Sequence, residues 1–276
     1  MNINIASWNI NSVRLRISLL KEIVQRYNFD VLCLQETKTP DQYFPVAEVK
    51  QLGYPYIVFR GEKSYNGVAI LSKIPIAQEF FWNMCDKNDK RHIAVKFHNG
   101  FTLHNFYVPA GGDIPDIKIN DKFAHKLSFI DEMTQRFSGQ DIKNTAILGD
   151  FNIAPLEQDV WSHKQLLNVV SHTPVEVEKL NNLRNKVNWI DTHRYFVPAE
   201  KKLYSWWSYR ARDWQKSDRG RRLDHLWITP DLTEKLQSVE IYKDTRGLAQ
   251  PSDHAVISAS LQMDEDFINS APPPNP

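Results

Sequence analysis

From residue 93 to residue 108 the chain reads Ile93-Ala94-Val95-Lys96-Phe97-His98-Asn99-Gly100-Phe101-Thr102-Leu103-His104-Asn105-Phe106-Tyr107-Val108. Two apolar, β-rich runs, 93 to 97 and 101 to 107, are separated only by His98-Asn99-Gly100, a turn far too short for a crossover helix. The two strands must run antiparallel, which excludes a doubly wound parallel sheet. Outward from this hairpin, similar runs recur at Ile3 to Trp8, Val31 to Leu34, Tyr56 to Phe59, Val68 to Leu71, Ala146 to Leu148, Leu226 to Ile228 and Ala255 to Leu261. Several alternate as half-buried strands do. Helical patterns lie between them. Val13, Ile17, Leu20, Val24 and Tyr27 step by four and three after a Ser12 cap, and Phe123, Leu127, Ile130, Met133 and Phe137 do the same. A third helix is expected to start at Thr173-Pro174-Val175-Glu176, where Thr caps, Pro takes the first position and Glu closes a capping box. The pattern is that of an α/β (α+β) protein with mixed sheets.

With 276 residues, 42% of them hydrophobic and 24% charged, the chain can bury one large core. No Gly/Ser-rich linker divides it, so residues 1–262 are read as one domain and 263–276 as an acidic, Pro-rich tail. The first residues lack a basic stretch followed by a long apolar one, and no run approaches the length of a membrane span. Cys33 and Cys85 cannot make a disulfide framework, and Cys33 sits inside the apolar run Val31 to Leu34. A cytoplasmic protein without a membrane partner, acting as a monomer, is expected. The formal net charge of +1 says little about partners, but its distribution does. Between Lys201 and Arg222 stand eight basic residues against two acidic ones, a local net of +6 that leaves the rest of the chain near −5.

Polar residues that look out of place occur where strands end. Trp8-Asn9-Ile10-Asn11, Leu34-Gln35-Glu36 and Leu148-Gly149-Asp150-Phe151-Asn152 close strands, whereas Leu223-Asp224-His225 and Ser252-Asp253-His254 precede them. In a mixed sheet these opposite polarities bring all five segments to one edge. That edge would hold Glu36, Asp150, Asp224, Asp253, two asparagines and a histidine, with no paired cysteines. Hard oxygen donors of this kind suit Mg²⁺ or Mn²⁺ far better than zinc. Phosphodiester cleavage needs the same inventory: a metal for the phosphoryl charge, a base for water, and donors for the transition state. Singly, each piece has a plainer reading. Asp253-His254 is by itself most often a surface pair, Gly149-Asp150 a turn and Asn9 a strand-end cap. Their occurrence together in one order is what points to a site.

Ser7 to Asn11, Leu34 to Lys38, Gly67 to Ser72, Tyr107-Val108-Pro109, Leu148 to Pro155, Tyr204 to Arg210, Arg222-Leu223-Asp224 and Ser252-Asp253-His254 together resemble the endonuclease/exonuclease/phosphatase superfamily, and within it the exonuclease III and abasic-site endonuclease branch. The resemblance spans residues 7 to 254. It implies a four-layer α/β sandwich of two packed mixed sheets flanked by helices, and a DNA-repair phosphodiesterase acting on abasic or 3′-blocked duplex DNA with Mg²⁺, for which Mn²⁺ can substitute. By resemblance Glu36 is the principal metal ligand, with Asn9 and Asn11 nearby and Asp253 supporting that side. Asp150 orients or deprotonates water, helped by Asn152; Tyr107 bonds the phosphate; and His254, paired with Asp224, binds a phosphoryl oxygen.

The basic segment interleaves Tyr204, Trp206, Trp207, Tyr209 and Trp214 with its cations, as expected of a DNA-facing loop in which some rings are core. The resemblance implies that Trp206 and Leu223 line a pocket for an extruded abasic sugar and that Arg210 enters the duplex, with Arg212, Arg221 and Arg222 as further DNA contacts. Two positions depart from the pattern: Asp113 stands where some abasic endonucleases have a basic contact, and Arg221 where some relatives have an aromatic wall. Two rival readings stay open at this level, a superfamily phosphatase acting on phosphoinositide or sphingomyelin-type substrates, and an inactive DNA-binding relative. No carboxylate or histidine of the pattern is missing, which speaks against the second.

Overall fold

The computed structural model describes residues 1–139, 141–211 and 213–264. Its strands are β1 (Asn2–Asn9), β2 (Val31–Gln35), β3 (Tyr56–Glu62), β4 (Tyr65–Ser72), β5 (Ile76–Phe80), β6 (His92–Phe97), β7 (Thr102–Tyr107), β8 (Thr145–Asp150), β9 (Ile190–Asp191), β10 (Trp206–Trp207), β11 (Gly220–Arg221), β12 (Asp224–Ile228), β13 (Leu236–Tyr242) and β14 (Val256–Gln262). The principal helices are α1 (Ile17–Tyr27), α2 (Val46–Gln51), α3 (Asp121–Arg136), α4 (His163–Leu166), α5 (Pro174–Val187), α6 (Thr192–Phe196) and α7 (Trp214–Ser217). One sheet has the order β13-β14-β1-β2-β4-β3 and the other β5-β6-β7-β8-β12-β9, with β10 and β11 as a separate ribbon. Both large sheets are mixed. β1 runs parallel to β2 but antiparallel to β14, and β8 runs parallel to β7 but antiparallel to β12. β6 and β7 form the expected hairpin, with His92 opposite Phe106 and Lys96 opposite Thr102.

Alternation along the strands builds the layers. Ile3, Ile5, Val31, Cys33, Val68 and Ile70 of the first sheet meet Ile93, Val95, Leu103, Leu148, Leu226 and Ile228 of the second in one buried cluster. The opposite faces carry a second set. Trp8, Leu32, Leu34 and Leu71 pack on Leu20, Ile23 and Val24 of α1, while Phe106, Ile147 and Trp227 pack on Phe129, Ile130 and Met133 of α3 and on Leu180 and Leu183 of α5. The result is helix, sheet, sheet, helix, the expected four-layer sandwich. Each buried Leu or Ile contributes roughly 1.5–3 kcal/mol of transfer free energy.

The capping box at the start of α5 is present in both halves, with Thr173 and Glu176 bonded reciprocally. α3 is capped by Asn120, whose side chain accepts from the backbone of Lys122 and Phe123. The start of α1 differs from expectation. Ser12 has φ +87° and is no cap; the helix begins at Ile17, and Val13, though buried, lies in the turn before it. Met263, the first residue of the expected tail, is buried and exchanges backbone hydrogen bonds with Met1. Residues 265–276, most of that tail, lie outside the described residues. Among the described residues no helix is long and apolar enough to cross a membrane.

Candidate active site

The inward-facing row of each central strand is aliphatic until the strand reaches one edge, where it turns polar. Ile3 and Ile5 give way to Ser7 and Asn9, Val31 and Cys33 to Gln35, Leu103 to Asn105 and Tyr107, and Ala146 and Leu148 to Asp150. Register then aligns Asn9 with Gln35, Tyr107 with Asp150, and Asp150 with Asp224. Beneath this edge the sheets are bonded to each other: Gln35 Nε2 donates to Asn105 Oδ1 at 2.8 Å and to Ser7 Oγ at 3.1 Å, and Asn105 Nδ2 donates to the carbonyls of Leu34 and Ala69.

The backbone at the edge is unusual. Asn11, Glu36, Lys38 and Asn152 all have φ near +50°, the left-handed region. Each such non-glycine residue costs about 1 kcal/mol or more, and conformations of this kind concentrate at functional sites. Gly149 has φ +135°, and a Cβ there would fall 1.9 Å from the carbonyl oxygen of Phe106, so only glycine lets β8 approach β7 closely enough to present Asp150.

Two linked groups of side chains result. In the first, Glu36 Oε1 accepts from Asn9 Nδ2 at 2.9 Å and from the Tyr107 hydroxyl at 2.7 Å, while Glu36 Oε2 meets Lys38 Nζ at 2.7 Å. Lys38 Nζ also donates to Asn11 Oδ1 at 2.7 Å, and Asn11 Nδ2 donates to Asp253 Oδ1 at 3.3 Å. In the second, His254 Nδ1 lies 2.8 Å from Asp224 Oδ2, and its Nε2 lies 3.7 Å from Asp150 Oδ2. Asn9 joins the groups, donating to Asp150 Oδ2 at 2.9 Å as well as to Glu36. Asp150 Oδ1 accepts the backbone N–H of Asn152 at 2.9 Å. Ser205, which the sequence reading did not single out, donates its hydroxyl to Asp224 Oδ2 at 2.6 Å and accepts from the amides of Leu223 and Asp224.

Electrostatics separate the two groups. Burial raises Glu36, but Lys38, Asn9 and Tyr107 outweigh it and hold the carboxyl below its usual range. Burial and the Glu36 charge drive the Tyr107 phenol well up, so it stays a donor. Burial alone would discharge His254; Asp224 and then Asp150 override it and raise the imidazole to about 10. Burial raises Asp150 to about 7 against the opposing attraction of His254. Asp150, Asp224 and His254 bring ligand-type atoms within 4.8 Å of one another, a group that could hold a metal. With His254 protonated, however, both of its nitrogens carry hydrogens and the imidazolium already supplies the positive charge there.

Most expected site residues converge, with adjustments. Asn9 turns its amide N–H groups to both carboxylates while its oxygen accepts from the Asn11 amide. Asp253 is held by Asn11 and by Trp206 Nε1 at 2.9 Å, and reaches Glu36 only through Asn11 and Lys38. Asn152 donates Nδ2 to the Val108 carbonyl. Lys38 lay within a quoted motif, yet its contact with Glu36 follows only from the left-handed turn between them.

In the basic segment, Trp206 pairs across a β-bridge with His254 and is half-buried, Tyr209 and Arg210 are exposed, and Leu223 is buried against Trp206 and Ala154. Tyr204 and Trp207 are core. Arg221 donates to Ser171 Oγ and the Val170 carbonyl with its guanidinium 5.4 Å from the Trp206 ring. Arg222, expected at the DNA face, is 1% exposed and spent on Asp159 and Asp191, so it serves the fold. Arg212 lies outside the described residues.

Residues 6–254 match the model of the Endonuclease/Exonuclease/phosphatase family. The chain is 31% identical over 269 residues to the exodeoxyribonuclease III of Haemophilus influenzae, covering 93% of this chain and 98% of that one, and 28% identical to the exodeoxyribonuclease of Bacillus subtilis, with the same shares covered. Among solved structures it resembles an AP endonuclease from Archaeoglobus fulgidus (TM-score 0.87, 28% identity) and a 3′ phosphatase from Neisseria bound to a product DNA hairpin (TM-score 0.85, 28% identity). Each covers 95% of this chain and 100% of its own.

Proposed function

The chain belongs to the endonuclease/exonuclease/phosphatase family, and from that premise we propose that it is a DNA-repair phosphodiesterase of the exodeoxyribonuclease III type, cutting duplex DNA at abasic sites, digesting from 3′ ends and clearing blocked 3′ termini. The observation that carries this reading is the row Asp224–His254–Asp150 set beside Glu36, with half-buried Trp206 paired to His254 and exposed Arg210 four residues further along the chain. Asp150 takes the proton of a water as the water oxygen attacks phosphorus; the bond from phosphorus to the 3′ oxygen breaks, and that oxygen leaves as a hydroxyl after taking a proton from solvent. Its Asn9 and Asn152 hydrogen bonds direct the carboxylate at that water. His254, fixed through Nδ1 by Asp224, turns its Nε2–H toward a phosphoryl oxygen, and the Tyr107 hydroxyl, which without substrate donates to Glu36, turns to donate to another as negative charge builds. Ser205 holds Asp224 so that the imidazolium keeps one orientation.

The donors around Glu36 fit a divalent cation, because Glu36 Oε2 and Asn11 Oδ1 already converge on a positive charge, the Lys38 ammonium. Mg²⁺, with Mn²⁺ able to replace it, would be held by Glu36 and Asn11 with Asp253 behind them, and when bound supplies charge neutralisation at the phosphoryl oxygens. A phosphoinositide or sphingomyelin phosphatase would need a polar head-group pocket or a membrane-binding face, whereas the residues beside His254 are aromatic and cationic, suited to a polyanionic duplex.

The test is incubation with two matched duplexes, one intact and one carrying an abasic analogue, in Mg²⁺ or in EDTA. Cleavage at the lesion and erosion from 3′ ends are expected in Mg²⁺ only. Full activity in excess EDTA, or no cleavage of either duplex, overturns the proposal.

A further inference from the structure

Outside the catalytic edge lies an ion pair with no solvent exposure on either side, Lys126 of α3 and Glu176 of α5, with Nζ and Oε1 2.5 Å apart. Glu176 is the capping-box residue of α5, and its carboxylate also accepts from the amides of Ser171 and Thr173 and from the Thr173 hydroxyl. A cap needs no buried lysine, and a buried pair is frequently no more stabilising than apolar side chains of the same volume. What the ammonium touches is therefore informative. Its other hydrogens go to the carbonyls of Asn152 at 2.7 Å and Ala110 at 3.3 Å, in the two turns that follow Asp150 and Tyr107.

We propose that Lys126 is a positioning residue for the hydrolysis: by gripping the Asn152 carbonyl it holds the left-handed turn whose amide orients Asp150. The proposal rests on the nuclease reading above. Asn152 donates its N–H to Asp150 Oδ1 from a turn in which its own φ is +54°, a conformation that a non-glycine residue leaves readily unless it is held. The first of the restraints on the turn is the Lys126 ammonium on the Asn152 carbonyl; with it stand Asn152 Nδ2 on the Val108 carbonyl, the Phe151 and Ala154 amides on the carbonyls of Leu223 and Ser171, and the buried imidazoles of His225 and His172 on the carbonyls of Ile153 and Ala154. Only the first is charged, and hydrogen bonds to a charged group are roughly twice as strong as neutral ones. Glu176 also reaches the other wall of the site, because Ser171, bonded to it, receives Arg221, the guanidinium that lies against Trp206. Arg221, expected as a DNA contact, is thereby committed inward, at a position where some relatives have an aromatic wall.

The experiment compares Lys126→Met with the double variant Lys126→Met/Glu176→Gln, which removes both charges but keeps an acceptor for the α5 cap. Steady-state cleavage of the abasic duplex, Tm, and amide hydrogen exchange across residues 150–154 are measured for each. The single variant is expected to lose stability and the double variant to regain most of it. In both, kcat falls about tenfold or more, the worth of a charge-assisted hydrogen bond in rate, while KM stays within about threefold. Exchange across 150–154 should be faster in the double variant even at restored Tm. Recovery of kcat together with Tm, a loss confined to KM, or a double variant that cannot fold means that the pair is structural and overturns the proposal. Wild-type protein inactive on every duplex would instead refute the nuclease reading, and the exchange measurement would still decide the role of Lys126.

Discussion

Asp150 and His254 face each other across 3.7 Å, yet the same burial acts on them with opposite consequences. Burial lifts the Asp150 carboxyl to about 7, so the base is half-formed near neutrality; the carboxylates flanking His254 lift it to about 10, so the acid stays charged well above neutrality. Catalysis as proposed needs Asp150 ionised and His254 protonated. Accordingly kcat/KM should rise with pH through about 7 and fall through about 10, the two limbs belonging to the coupled pair. Asp224→Asn removes the charge that raises His254, so the upper limb should move down toward the ordinary imidazole value. An upper limb unmoved in that variant would show that another group sets it. Stability follows a related sign. His254 has its folded pKa above its ordinary value of 6.5, so its contribution to stability is complete below that pH and is lost as pH rises through about 10.

At the scale of elements, β12 presents Asp224 because the residue before Leu223 is nailed down. Arg222 holds Asp159 with two nitrogens and Asp191 with a third, and Asp191 is drawn down to about 2, its burial outweighed by Arg222. Arg222→Ala leaves buried Asp191 without its guanidinium and Asp159 with Arg194 alone, and should cost about 3–5 kcal/mol, read as a drop in Tm, while the salt dependence of DNA binding stays as in the wild type. A change in that salt slope with Tm unmoved would restore Arg222 to the DNA face. The sequence grouped it with the surface cations because neighbouring charges are visible there, whereas partners 63 and 31 residues away are not. The same contrast governs the strands. Those whose two faces meet different cores, such as β2, β4 and β8, were legible as continuous apolar runs. β5 and β13, largely exposed, and the two-residue β9, β10 and β11 carry no burial pattern to read. α1 was begun too early because Val13, in the preceding turn, falls on the helix's buried side.

Across the whole molecule, the convergence of five strand-end segments on one edge was legible because mixed-sheet polarity leaves few other arrangements. Contacts made through side-chain length and turn handedness, such as Lys38 to Glu36, were not. Affinity for duplex should come from the exposed cations near the site, so its logarithm should fall linearly with the logarithm of salt concentration. On the proposed reading Trp206, beside His254, favours a nucleotide lacking its base, since extruding a bare sugar avoids most of the unstacking cost. Trp206→Ala should thus depress abasic-site cleavage more than 3′-end digestion, whereas Lys201→Ala or Lys202→Ala should weaken both alike. An unchanged ratio of the two activities for Trp206→Ala at fixed salt would make this ring part of the scaffold. The tie of Ser7, Gln35 and Asn105 has a mechanical consequence. Aliphatic side chains interdigitate and fix the spacing of the two sheets, but they carry no directional bond to set where one polar edge group stands against another. A directional bond works as a dowel, and here it sits directly beneath the edge where Glu36 and Asn9 ride on one plate and Asp150 and Tyr107 on the other.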